Sequence, residues 1–225
     1  MAVDLDAPDH TTLSRRSATL DVVLTRTART GSINLIIDSS GLSIMGEGEW
    51  ATAKHGGNGR RGWKKLHLGV DATGEIVAQV LTDSGIDDGS TGVAIIENMG
   101  DQVRSVTADA AYDTRPIYDA AESMGAEVVV PPTSNASTST GRRRSKARNW
   151  TVRRVKELGR RRWKKESGYH RQARVENSFF RYKTIIGGRL RARTLSAMET
   201  EAAVACNLLN RMRALGWPTS QKIAR

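Results

Sequence analysis

Three acids far apart in the chain, Asp38, Asp109 and Glu176, have the residue type and the settings for divalent-metal chemistry on a phosphodiester. Mg2+ is a hard ion that prefers carboxylate oxygens and keeps several waters, so two or three Asp or Glu side chains suffice to hold it. Two such ions about 3.5–4 Å apart let one activate an attacking oxygen while the other stabilises the leaving oxygen. The carboxylates must then stand on rigid elements whose ends meet. Asp38 ends the apolar run Leu35–Ile37 where it gives way to Ser39 and Ser40, and Asp109 follows directly after the segment that closes at Ala108. Taken singly, Asp38 reads equally as a strand-end residue bonded to a loop, Asp109 as a helix cap, and Asp113 is the alternative second ligand.

Glu176 is the more informative acid. Over Tyr169–Ile186 the apolar residues Val175, Phe179, Tyr182 and Ile186 fall at helical spacing and form a core stripe. Tyr169, Glu176 and Lys183 are spaced by seven, which in an ideal α-helix puts them within about 40° of one another. Arg174 and Arg181 point further round, toward solvent or a polyanion. No other acid lies between Tyr169 and Arg193, so Glu176 sits in a positive field as a lone carboxylate, unlike ordinary solubilising surface.

The elements that must position these residues follow from periodicity. Asp9 can cap a short helix running toward Leu20. Ser32–Asp38 and Ser40–Ile44 read as strand pieces, Gly46–Gly62 as a loop, and Lys65–Val70 with Glu75–Leu81 as a hairpin around Asp71–Gly74. Asp88–Met99 suits a helix, Arg104–Ala108 a strand, Thr114–Met124 a helix, and Glu127–Val130 a strand stopped by Pro131 and Pro132. A linker, Thr133–Gly141, leads into a basic stretch, and two helices close the chain, Tyr169–Ile186 and Leu195–Leu215. Three strands, helix, strand, helix, strand predict a mixed sheet flanked by helices, the order of an RNase H-like α/β fold, in which the strands before Asp38 and Asp109 are neighbours. Asp71, Asp87 and Asp88 read as turn and cap residues. His55 and His67 lack zinc-site spacing, and Gly56–Gly59 is not a P-loop because no Gly-Lys-Ser/Thr follows. Met198, Ala202, Ala205, Leu209 and Met212 read as a core stripe, with Cys206 a small core residue beside it.

Charge points to the partner. The 225 residues carry 35 Lys and Arg against 24 Asp and Glu, a formal +11. Residues 142–193 hold 20 of the cations and three acids, a net +17 that leaves the rest of the chain at −6. A basic third on an acidic body suits a polyanion, whose phosphates release counterions on neutralisation. Trp150 and Trp163 interrupt that stretch, as aromatics do on nucleic-acid surfaces. One cysteine excludes an internal disulfide and a multi-Cys zinc site. The apolar runs fall far short of the roughly 20 residues that span a bilayer, and Met1–Asp9 lacks a secretory pattern. A cytoplasmic, nucleoid-associated protein with no membrane partner is expected.

Three spans together resemble bacterial insertion-sequence transposases of the DDE class: IDSSGL (Ile37–Leu42), TADAAYDT (Thr107–Thr114) and YHRQARVENSFFRYKTIIG (Tyr169–Gly187). WKKLHLGVD (Trp63–Asp71) and PDHTTLSRR (Pro8–Arg16) extend the likeness over nearly the whole chain. Within that class the sequence looks like the "insertion sequence five" family, whose Tyr-Arg-Glu-Lys signature it follows with Tyr169, Glu176 and Lys183. The signature's Arg position holds Gln172, with Arg171 one residue earlier. The resemblance implies that Asp38, Asp109 and Glu176 are the catalytic, metal-binding triad for two Mg2+ ions, with Mn2+ able to substitute. It implies that Tyr169 and Lys183 contact DNA near the cut, with Arg171 and Gln172 at the signature's Arg position; helix geometry and the basic stretch add Arg174, Arg181 and the run Arg142, Arg143 and Arg144 as expected DNA contacts. It further implies a DNA-bound homodimer acting on terminal repeats and target DNA.

The expected organisation is the end of an N-terminal helical DNA-binding region over 1–30, truncated upstream, then a catalytic domain over 31–193 that includes the basic segment 142–165, then a C-terminal helix over 194–225. The expected chemistry is metal-dependent cleavage at transposon ends and strand transfer. Two rivals are a nuclease of the same fold that cuts without joining, and a remnant that only binds DNA.

Overall fold

The apolar, β-branched residues around Ile36 make the central strand of the molecule. The computed structural model describes residues 8–26, 31–44, 62–140 and 145–216; the glycine-rich loop with His55, and Arg142–Arg144, lie outside the described residues. β1 runs over Ile33–Ile44 as one continuous strand where the sequence pattern suggests two pieces, so Asp38 sits in mid-strand rather than at an end. β2 (Trp63–Val70) lies antiparallel to β1, and β3 (Ile76–Asp83) antiparallel to β2. The turn joining them is held by Asp71, whose buried Oδ1 accepts hydrogen bonds from the Thr73 and Glu75 amides and the Thr73 hydroxyl. Gly69 lets β2 approach its neighbours: a Cβ there would stand 2.9 Å from Leu35 Cδ1.

On the other side of β1, β4 (Val103–Thr107) and then β5 (Glu127–Val129) add in parallel. A two-residue strand, β6 (Arg189–Leu190), pairs in parallel with the end of β1. The order is β3-β2-β1-β4-β5 with β6 beside β1, a mixed sheet flanked by helices, as an RNase H-like α/β fold requires.

Alternation along the strands sorts the core into two faces. Leu35, Ile37 and Val106 pack under α2 (Asp88–Met99) and α3 (Arg115–Ser123) with Ile95, Ile96, Tyr112 and Ile117. Ile36, Leu42, Leu66 and Leu68 pack under α6 (Ala173–Arg181) and α7 (Leu195–Ala214) with Val175, Phe179, Tyr182, Met198 and Leu209. Cys206 lies fully inside this second layer, whereas Met212 at the end of the same stripe is exposed. The N-terminal helix α1 (His10–Ser17) is capped by Asp9, which accepts from the Thr12 amide at 2.7 Å. The segment after it is tied to α7 through Asn207, which accepts from the Thr25 amide at 2.6 Å and donates to Val23 O at 3.0 Å.

Two further findings differ from the sequence expectation. The basic stretch is ordered as α4 (Lys146–Leu158) and α5 (Arg160–Glu166). Cations dominate both, and the inward residues of α4 include Asn149 and Thr151, so no apolar stripe announces the helix. The segment Tyr169–Ile186 is not one α-helix. It opens with a 3-10 turn at Tyr169–Gln172, continues as α6 and ends in a π-turn at Tyr182–Ile186. The seven-residue spacing of Tyr169, Glu176 and Lys183 therefore does not define a single straight face.

Candidate active site

Register places two of the acids. β1 and β4 are parallel with Ile36 opposite Thr107, so Asp38 and Asp109, each two residues further on, stand at the same level. Two residues preserve strand parity, so Asp38 shares the face of Ile36, the face that α6 covers. Asp109 leaves β4 as the cap of a 3-10 turn over Ala110–Tyr112, accepting from the Ala111 amide at 2.9 Å. Glu176 is in the first turn of α6 and exposed.

The three acids are in one another's field. Burial pushes the Asp38 carboxyl up to about 6; the Ser39 amide bond partly offsets this, and the negative charges of Asp109, Glu176 and Asp88 add to it. Tyr169, half-buried, is pushed up to about 12 by burial first and then by Asp109, Glu176 and Asp38. The Tyr112 hydroxyl is raised in the same way, by burial and then by Asp38, Asp88 and Asp109. Several acids thus surround a partly desolvated Asp38, and their charges add to the burial that disfavours its ionisation. Among the described residues no three His, Cys, Asp or Glu side chains close into a metal-holding group. The donor chemistry nevertheless fits a hard divalent cation: the candidate donors are carboxylate oxygens, and a positive ion would favour the charged form of Asp38, which burial first and the neighbouring acids second disfavour. Gln172 adds a further sign of polar provision beside Asp38. It is buried, donates from Nε2 to Ile37 O at 3.4 Å, and leaves its Oε1 without a hydrogen-bond partner.

The residues expected on DNA stand in different settings. Gln172, expected on DNA, faces inward with 3 % of its surface exposed and bonds the backbone of β1. Arg181, also expected toward DNA, is half-buried, with its guanidinium 3.4 Å from Leu209 O on α7. Arg171, Arg174 and Lys183 are exposed around the acids' helix. Tyr169 is braced by Trp163, with ring centroids 6.0 Å apart, and by the Lys164 ammonium 4.9 Å from its centroid. Trp163 is thus a buried support for Tyr169 rather than a surface aromatic.

Asp113, the alternative second ligand, is engaged in other bonds. Its fully buried carboxylate takes two bonds from Arg148, at 2.8 and 2.9 Å, and others from the Tyr118 hydroxyl and the Thr133 amide. Asp87 caps α2 as expected, accepting from the Ser90 amide at 2.8 Å, but Asp88 instead pairs with Lys65 at 3.0 Å. Asp88 also lies 3.9 Å from Nδ1 of the fully buried His67, whose Nε2 meets the Thr82 hydroxyl at 2.8 Å. Burial lowers the His67 pKa despite Asp88. The Asp88 charge, which reaches Asp38, is a contributor that sequence reading missed. The odd-numbered positions Lys65 and His67, sharing one face of β2 near the start of α2, carried the available signal.

No helix among the described residues is long and apolar enough to cross a membrane. A family model described as "Transposase DDE domain" matches residues 29–211, and a second of the same description matches residues 1–47. The first match takes in β1, β4 and α6 with all three acids, so the chain belongs to the transposase DDE domain family and its function is that of a transposase acting on DNA.

Proposed function

We propose that this chain is an insertion-sequence transposase of the "insertion sequence five" type, with Asp38, Asp109 and Glu176 as its catalytic acids. The observation that carries the reading is the mid-strand Asp38 carboxylate, level with Asp109 just beyond the adjacent parallel strand and raised first by burial and then by the charges of both other acids. These side chains would hold Mg2+, or Mn2+ in its place, and such an ion supplies charge neutralisation at the phosphate and a more acidic attacking water.

The chain's own residues do the rest. Asp38, Asp109 and Glu176 present acceptor oxygens from a strand, the turn that follows the neighbouring strand and a helix, the setting for an in-line displacement. Water adds at the phosphorus of a transposon-end phosphodiester, the bond to the 3′ oxygen breaks, and that oxygen leaves as a 3′-hydroxyl. The hydroxyl next attacks a target phosphodiester, forming one P–O bond as another breaks, with no protein–DNA covalent intermediate. Tyr169, held as a neutral phenol by burial and the neighbouring acids, can donate a hydrogen bond to a phosphate oxygen without adding repulsion. Exposed Arg171, Arg174 and Lys183 offset phosphate charge around the site, positioning DNA without reading its sequence.

Incubating the protein with Mg2+ and pre-nicked transposon-end DNA, with a target plasmid present, tests this. Joined product from the wild type, abolished by Asp38→Asn, Asp109→Asn or Glu176→Gln with DNA binding retained, is expected. Cleavage without joining favours a nuclease. A second reading is a protein that binds DNA without chemistry. Binding with neither cleavage nor joining would support that one.

A further inference from the structure

Asp109 stands beyond the end of β4, so its direction depends on what holds the turn that carries it. The turn closes on itself. The Tyr112 amide donates to Asp109 O at 3.2 Å, the Asp113 amide to Ala110 O at 3.2 Å and the Thr114 amide to Tyr112 O at 2.7 Å. Asp109 caps one end and Asp113 closes the other. The middle is seated by Tyr112, whose buried ring lies so close to α2 that a Cβ at Gly92 would stand 3.0 Å from its Cε1.

The far end is set by Asp113, whose fully buried carboxylate gathers donors from three parts of the chain. The Tyr118 hydroxyl of α3 donates at 3.3 Å and the Thr133 amide, beyond β5, at 3.2 Å. Nε and Nη2 of Arg148 on α4 donate at 2.8 and 2.9 Å. Arg148 is fixed in its turn, because its Nη1 donates to Ser137 O at 3.1 Å. The adjacent Asn149 accepts from the Ser139 amide at 2.8 Å and donates back to Ser139 O at 2.7 Å. A planar guanidinium that holds one carboxylate by two nitrogens fixes direction as well as distance, which an ammonium does not. Any tilt of the turn at Asp113 is passed by its backbone bonds to Asp109.

We infer that Arg148 is a positioning residue for Asp109: its two-nitrogen grip on Asp113 sets the turn, and the turn sets the direction in which the Asp109 carboxylate meets a divalent cation. The inference rests on the proposed role of Asp109 as a metal-holding acid. It makes α4 part of the metal centre's support, although no side chain of α4 belongs to the three acids. Partners that orient metal-holding side chains are worth about 10–100-fold in metal affinity. Arg148 acts through one further side chain, so the lower end of that range is expected.

Electron paramagnetic resonance of Mn2+ titrated into the full chain tests this, with folding followed by circular dichroism. The wild type should bind Mn2+ and Asp109→Asn should not. Arg148→Lys, which keeps the charge but loses the fork, should stay folded and bind Mn2+ about tenfold more weakly. Asp113→Asn combined with Arg148→Gln, which strands no buried charge, should show the same loss. Val152→Ala removes buried packing from α4 but has no polar atom to offer Asp113, and should bind Mn2+ as the wild type does. Arg148→Lys and the double variant binding as tightly as wild type, or Val152→Ala losing as much as they do, would overturn the inference and leave the role of Asp109 standing. Equal binding by wild type and Asp109→Asn would overturn that role and the inference with it.

Discussion

Asp38 is kept where a charge is disfavoured, and that has a measurable consequence. Its carboxyl titrates at about 6 when folded and near 4 in an unfolded chain. Between those values the folded state binds the extra proton, so the carboxylate costs stability as pH rises from 4 to 6 and the cost is constant above. Asp38→Asn should therefore stabilise the metal-free protein at pH 8 by up to about 3 kcal/mol, and the gain should vanish at pH 4. Urea unfolding of both proteins in chelator at the two pH values checks this; an equal difference at both would show that Asp38 is not held up by its surroundings. Gln172 makes a second case. Its Oε1 is buried without a partner, and an unmade hydrogen bond of that kind costs about 1–3 kcal/mol. Gln172→Met, similar in volume, should raise stability by about 1 kcal/mol, seen as a higher urea midpoint with the same slope; a destabilised protein would mean that the bond to Ile37 O outweighs the orphaned oxygen.

At the scale of elements, α4 depends on one ion pair. The Asp113 side chain is fully buried and Arg148 is its only cationic partner among the described residues. Removing one member of a buried pair costs about 3–5 kcal/mol because it strands the other charge. Arg148→Ala should lose about 3 kcal/mol, while Arg148→Ala with Asp113→Asn together should recover part of it; a double-mutant cycle by chemical denaturation reads this directly. The pair was not legible in the sequence, because Asp113 and Arg148 are 35 residues apart and neither lies in a periodic pattern. By contrast, the mixed sheet was legible. The apolar triplet Leu35–Ile37, the hairpin turn around Asp71 and the Asp87 cap of α2 each carry a strong local signal, and parallel pairing of β1 with β4 follows from the crossover through α2. The core stripe of Val175 and Phe179 on α6, continued by Tyr182 in the π-turn, was legible too. The change from 3-10 to α to π along Tyr169–Ile186 was not, since hydropathy fixes which residues are buried but not the number of residues per turn. For the same reason the inward turn of Gln172 escaped a reading based on helical angles.

For the whole molecule, the charge distribution and the acids describe one arrangement: a negative spot on the sheet, bordered by exposed cations of α6 and by the cation-rich α4 and α5. A nucleic acid held by those cations would have its phosphates brought to a site that repels them unless a divalent ion intervenes. The measurement that tests this most directly is anomalous X-ray scattering from crystals soaked in Mn2+. Density for manganese bounded by carboxylate oxygens of Asp38 and Asp109, with Glu176 drawn toward it and the signal lost in Asp38→Asn, is the predicted result. Manganese absent from that spot at saturating concentration, with Glu176 remaining turned to solvent, would contradict the assignment of these three acids as one metal-dependent centre.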